Sequence, residues 1–404
     1  MRPLSFVCVY TSWSGALLLL SAPAVGAIRR THLVNSRARV LENVTTAYER
    51  LNVSRRVPID LHPRVVTTGP PVILPIGIVG NDFSYYTQVF IGRNPRPFSV
   101  NVDCGSSEFW VMGENAQNRG THNGIGPKLS PGQAPPIAKW ATAYEDFDSS
   151  SLQGFVVRDD VFVSITAILP DFPFGTAEVM TGSIPTDFED GVMGFAHSFA
   201  SRTGAPTIVE ALAKVGLIPL PLSGWKLPRA ADGGHGGQIS LGAPNTALFN
   251  SGIMTEVQNI ITEQGDWRIP INDVTAGGHP MGQGRRVATL DTGANNIFMT
   301  FADAYLVNSQ IPGAVQLAIP GEFAIPCNTQ VRLAFSIGKF DWPIDPRDLI
   351  GDPIQIPGRG VMCGSRILGE DRADGTWLVG TPFLKNVYFI LDIGRNSVTF
   401  AQLR

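Results

Sequence analysis

PFSVNVDCGSSEFWVMG, residues Pro97–Gly113, is the stretch that decides how the chain is read. Phe98, Val100 and Val102 alternate with polar positions, which is the period of a β-strand. The strand then meets Asp103-Cys104-Gly105-Ser106. A carboxylate followed by a small residue and glycine makes a tight turn, because glycine reaches backbone angles that other residues avoid. Such a turn holds the carboxylate at a strand end, close to backbone N–H groups. One Asp-x-Gly is an ordinary turn in most sequences. A second copy changes the reading: Val287–Ala294, VATLDTGA, delivers Asp291 in the same way. Two Asp-(Cys/Thr)-Gly turns 188 residues apart imply a duplicated lobe, each copy bringing one carboxylate to a shared site.

At 404 residues the chain is long enough for two lobes. Apolar residues make up 44% and charged residues 16%, with 43 Gly and 31 Pro. That balance favours a β-rich protein with many turns over charged helical repeats. A net charge of −3 without a basic run speaks against nucleic acid as a partner. Six scattered histidines offer no metal-ligand spacing, so neither metal nor cofactor is expected.

Residues 1–27 read as a secretion signal, with Arg2 as its charged end. Gly15–Leu20 is the apolar centre and Val25-Gly26-Ala27 the small-residue cleavage site. The apolar run is too short for a membrane anchor, and the C-terminal NSVTFAQLR lacks the tail of a lipid anchor. Residues 28–71 carry the dibasic pairs Arg29-Arg30 and Arg55-Arg56 and the sequons at Asn43 and Asn52. They read as a pro-segment, the alternative being a plain N-terminal arm. Once Cys8 leaves with the signal, Cys104, Cys327 and Cys363 remain. A disulfide is the default in a secreted chain, and Cys327 and Cys363, lying in one region, are the natural partners.

From Val72 the chain breaks into short strands. Residues 113–138 read as a surface loop. Trp140–Tyr144 and Gly154–Val163 read as strands around a polar hairpin, and Thr207–Val215 as a short helix. Asp190–Phe195, DGVMGF, reads as an apolar-apolar-Gly turn echoed by Trp377–Thr381. Gly233–Gly237 reads as a hairpin end, without the spacing or lysine of a phosphate loop. The lobes are assigned to 72–250 and 251–404.

Two carboxylates held together cannot both ionise easily and share one proton. The ionised partner can activate a water while the protonated one polarises a carbonyl. Paired carboxylates also serve glycoside hydrolysis, but that chemistry has no need of two equivalent turns from duplicated lobes.

With these residues in hand, the chain resembles the pepsin-like aspartic endopeptidases, most closely the secreted fungal branch. The resemblance covers about residues 72–404 and rests on YYTQVFIG (85–92), VDCGSSEFWV (102–111), DGVMGF (190–195), GGQISLG (236–242), LDTGANN (290–296), the Cys327/Cys363 pair and LVGTPFLKNVYFILD (378–392). It implies an all-β fold of two lobes with a central cleft and a flap hairpin. It implies hydrolysis of peptide bonds at acid pH, between hydrophobic residues, with Asp103 and Asp291 as the catalytic pair. Tyr144, Asp146, Gly105 and Gly293 would meet substrate, and Ser106, Thr292, Trp110 and Cys104 would support the site, Trp110 by contacting the flap Tyr144. The implied partners are a peptide or protein substrate and pepstatin-like inhibitors, bound by a monomer. Three departures stand out. The first turn has Cys104 where the family has threonine, and S–H is a poor donor. Ala294 replaces a hydroxyl residue, and Glu145 and Phe147 alter the flap. A pepsin-fold binding module with weakened catalysis is the alternative reading.

Overall fold

The computed structural model describes residues 71–144, 150–372 and 374–404. The signal, both sequons and all but the last residue of the pro-segment lie outside the described residues, as do Glu145, Asp146 and Phe147. The described chain is built almost entirely of strands. No helix in it is long and apolar enough to cross a membrane.

In the first half, an eight-stranded sheet takes its order from packing rather than from sequence. The strand Phe98–Asp103 lies parallel to Gly191–Gly194, with Asp103 opposite Gly194. Gly191–Gly194 in turn runs antiparallel to Phe109–Met112, with Val192 opposite Trp110. The second half repeats the unit. Arg286–Leu290 lies parallel to Trp377–Val379, which is antiparallel to Ile297–Met299. Each carboxylate turn is therefore pinned between an apolar incoming strand and a short central strand that arrives about 90 residues later.

DGVMGF, read above as a turn, is corrected here: Gly191–Gly194 is a buried strand. Its glycines serve close approach rather than reversal. A Cβ on Gly191 would strike the Trp110 carbonyl, and one on Gly194 would lie 2.6 Å from the Ser106 carbonyl. Gly380 plays the same part against Ala294 and Asn296 in the second half. The helix Ile208–Lys214 forms where expected. Thr207 accepts from the Glu210 amide while Glu210 reaches back to the Thr207 amide, which satisfies two orphan donors at its start.

A six-stranded sheet joins the halves. Its order is Val72–Pro75, Gln238–Leu241, Leu222–Lys226, Val387–Asp392, Ser397–Leu403 and Phe249–Gln258. Asn250, the assigned lobe limit, falls in the last of these strands, which pairs with the C-terminal strand. The other sheets of the second half are one of five strands and two of four. Cys327 and Cys363 form a disulfide there, which ties the segment after Phe323–Ile325 to the strand Gly360–Ser365.

Candidate active site

The two Asp turns face one another. In the first, the Gly105 amide donates to Asp103 Oδ1 at 2.8 Å and the Ser106 hydroxyl donates to Asp103 Oδ2 at 2.5 Å. In the second, the Gly293 amide donates to Asp291 Oδ1 at 2.7 Å, and the Ala294 amide adds a further bond. The hydroxyl that Ala294 lacks is thus replaced on that side by backbone. Asp103 also hydrogen-bonds the carboxyl of Asp291. Burial first, then the Asp103 charge and that hydrogen bond, push the Asp291 carboxyl well above the usual carboxylate range. Asp291 is thus the carboxyl that resists ionisation, while Asp103 has two donors aimed at it.

Both glycines are required by space. A Cβ on Gly105 would lie 2.6 Å from Asp291 Cγ, and one on Gly293 would lie 3.1 Å from Asp103 Oδ1. Any larger residue at position 105 would wedge the carboxyls apart.

Beneath the pair, the middle residues of the turns reach across to the opposite half. Thr292 Oγ1 donates to the Val102 carbonyl at 2.7 Å and accepts from the Cys104 amide at 2.9 Å. Cys104 answers in kind: its Sγ donates to the Leu290 carbonyl at 3.5 Å and accepts from the Thr292 amide at 3.3 Å. The sulfur therefore fills both roles of a hydroxyl, at sulfur distances. Sequence reasoning weighed Cys104 only as a donor; the acceptor role comes from the turn geometry, which aims the Thr292 amide at it. The thiol is fully buried. Burial, followed by the charges of Asp291 and Asp103, holds it protonated far above the ordinary thiol range.

A layer behind the first turn escaped the sequence reading. The Phe195 amide donates to the Asp103 carbonyl and the Ala196 amide to the Ser106 carbonyl. Ser107 Oγ donates to the His197 carbonyl at 2.8 Å. The second half then holds this segment: the His197 amide donates to the Gly265 carbonyl, and Trp267 Nε1 donates to the Phe195 carbonyl at 3.0 Å. The His197 ring packs 4.3 Å from the Trp267 ring. Only the apolar run GVMGFA hinted at this layer.

The hairpin made by Ala138–Ala143 and Ser151–Ser164 carries Tyr144 just past its first strand. Trp110 Nε1 donates to Tyr144 Oη at 2.7 Å, which brings the hairpin to the strand that leaves the Asp103 turn. Trp110, Met112, Leu152, Met180 and Ile184 form an apolar cluster around Tyr144. Asp146 belongs to the undescribed tip. Cys363 lies in a sheet separate from those that carry the carboxyl pair, and Cys327 in a turn beside it.

The family described as eukaryotic aspartyl protease matches residues 84–403. A Trichophyton verrucosum protein named "Probable aspartic-type endopeptidase CTSD" is 29% identical over 347 residues, 84% of this chain. This chain spans 65% of that relative's length. An Aspergillus fumigatus protein named "Aspartic-type endopeptidase ctsD" is 28% identical over 330 residues, covering 80% of this chain and 66% of its own. Gastricsin of Mus musculus is 29% identical over 334 residues, covering 79% of this chain and 81% of its own. The match extends over both Asp turns, the strands that pin them and all but the first strand of the sheet that joins the halves, and on it the chain belongs to the eukaryotic aspartyl protease family.

Proposed function

We propose that the protein is an endopeptidase in which Asp103 and Asp291 share one proton and activate a water against a peptide carbonyl. The observation that carries this reading is the hydrogen-bonded carboxyl pair delivered by two equivalent turns. Asp103, steadied by Ser106 and the Gly105 amide, takes a proton from water as the oxygen attacks. Asp291 donates its proton to the carbonyl oxygen, giving a neutral diol; Asp103 then passes its new proton to the nitrogen as the C–N bond breaks, and Asp291 takes one back from a diol hydroxyl, leaving amine and acid. The pair works only while one proton is shared, so activity belongs at acid pH. The apolar cluster around Trp110 and Tyr144 supports a preference for hydrophobic residues beside the cleaved bond. We assign residues 1–27 to a secretion signal, 28–71 to a pro-segment, and 72–250 and 251–404 to the two lobes. Pepstatin-like peptides are the expected inhibitors. With Cys104 in the threonine's place the grip between the turns still has four contacts, two of them made by the sulfur, and this favours an active enzyme over a binding module.

The test is cleavage of an apolar peptide by the chain freed of residues 28–71. Asp103→Asn and Asp291→Asn should each lower kcat by about 10²–10⁴-fold while circular dichroism stays unchanged. A variant that keeps a large fraction of wild-type turnover would refute the shared-proton mechanism.

A further inference from the structure

Away from the carboxyl pair, the described residues hold a buried ionic cluster that spans almost the whole sequence. Lys385 Nζ lies 2.7 Å from Asp82 Oδ2, a residue 303 positions earlier, and 2.9 Å from Asp348 Oδ1. The side chains of Lys385 and Asp348 are only 6% and 2% exposed. Asp348 also takes two bonds from Arg229, at 3.0 and 2.6 Å, and one from Asn386 at 2.9 Å. Asp82 Oδ1 accepts from the Ala230 amide at 2.7 Å. Asp232 bonds Arg229 at 2.9 Å and Arg347 at 2.8 Å, Asp345 pairs with Arg347 and acts on Arg229, and Tyr85 and Arg366 also face the cluster.

Lys385 caps the short helix Thr381–Leu384, and that helix begins on the second Asp turn. The Asp291 amide donates to the Val379 carbonyl at 3.1 Å, the Gly380 amide to the Asn296 carbonyl at 3.2 Å, and the Thr381 amide to the Ala294 carbonyl at 2.9 Å. The turn is thus fastened at three points to a segment that ends on Lys385. A polar cavity of about 20 Å³ separates Asn295 of the turn from Asp82 and Lys385. Phe383 and Leu384 pack the helix into the core, and the ionic ties hold its C-terminal end beside that cavity.

We propose that Lys385 is a positioning residue for Asp291. Its ammonium holds two carboxylates from different parts of the fold, and through Thr381 and Gly380 it fixes where the second turn stands relative to the first. The inference rests on the two-carboxylate reading above. Without the ammonium, Asp82 and Asp348 repel each other inside the protein. The helix moves, and the Asp291 carboxyl drifts from Asp103.

Lys385→Met keeps the apolar stem and removes the charge. It should lower kcat by about tenfold, as small misplacements do, and change KM by less than about twofold. The bell-shaped pH profile should narrow, because a weaker bond between the carboxyls draws their two apparent pKa values together. Lys385→Arg should restore its width. Asp82→Asn removes one of the two carboxylates on Lys385 and should narrow the profile partway. A Lys385→Met protein that loses thermal stability with kcat and profile width unchanged overturns the proposal. Should that variant not fold, Asp82→Asn with the wild-type width does the same. An inactive wild type, or an active Asp291→Asn variant, would instead refute the two-carboxylate reading and this inference with it.

Discussion

Cys104 shows how much one atom can alter without breaking the site. Its sulfur accepts the Thr292 amide and donates to the Leu290 carbonyl, so the grip remains two-sided. Thiol donors are weak, however, and the 3.5 Å contact is the loosest of the four. A hydroxyl in that place makes a stronger bond to the same carbonyl. Cys104→Thr should therefore raise stability by about 0.5–1.5 kcal/mol, read by urea unfolding, and raise turnover modestly by holding Asp103 more firmly. A loss of both would mean that the pocket has repacked around sulfur and rejects the branched methyl. At this scale the sequence was most legible. Asp103, Asp291, Gly105 and Gly293 could be picked out because a turn with that composition occurs twice. The backing of Asp291 by the Ala294 amide could not, since a missing side-chain hydroxyl says nothing about where a backbone N–H points.

Between the two carboxylate strands, individual elements owe their places to buried polar anchors. The long loop after Met112 is held by Asp190, which accepts from the Asn123 amide at 2.8 Å and from the Ser99 amide at 2.9 Å. His122 Nδ1 lies 3.4 Å from the same carboxylate, and the hydrogen bond to Asp190 raises the imidazole above its ordinary value of 6.5. A raised histidine contributes stability that is fully present below its unfolded pKa and is lost as pH rises through its folded pKa. The loop is therefore tied down best in acid, where we place the activity. His122→Gln should lower the melting temperature by roughly 1–2 °C at about pH 5 and by less at about pH 8. Equal losses at both pH values would show that shape, not charge, is what His122 supplies. The helix Ile208–Lys214 and the hairpin strands were readable because their periodicity and caps are local. Gly191–Gly194 was not: glycines next to apolar residues suggest a turn, and only the strands crowding both sides reveal that they mark close approach.

For the whole molecule, duplication made two lobes legible from the repeat of the Asp turn and of the apolar-apolar-Gly segment that follows it. The joining sheet was beyond reach of the sequence. Leu222–Lys226 pairs with Val387–Asp392, and Phe249–Gln258 with Ser397–Leu403, and contacts that distant leave no local period to read. The halves thus share a continuous hydrogen-bonded ladder as well as the grip of Cys104 and Thr292. Cys104 is the free thiol among the described residues, and it sits at that seam. Thiol reagents need the thiolate, and here both burial and the two neighbouring carboxyls suppress it. The residue becomes a clock for the parting of the halves. With the ladder intact, Cys104 should be labelled no faster than the protein unfolds globally as followed by tryptophan fluorescence. Labelling that outruns unfolding would mean that the halves breathe apart in the native protein, and its rate would measure how often the two carboxyls lose each other.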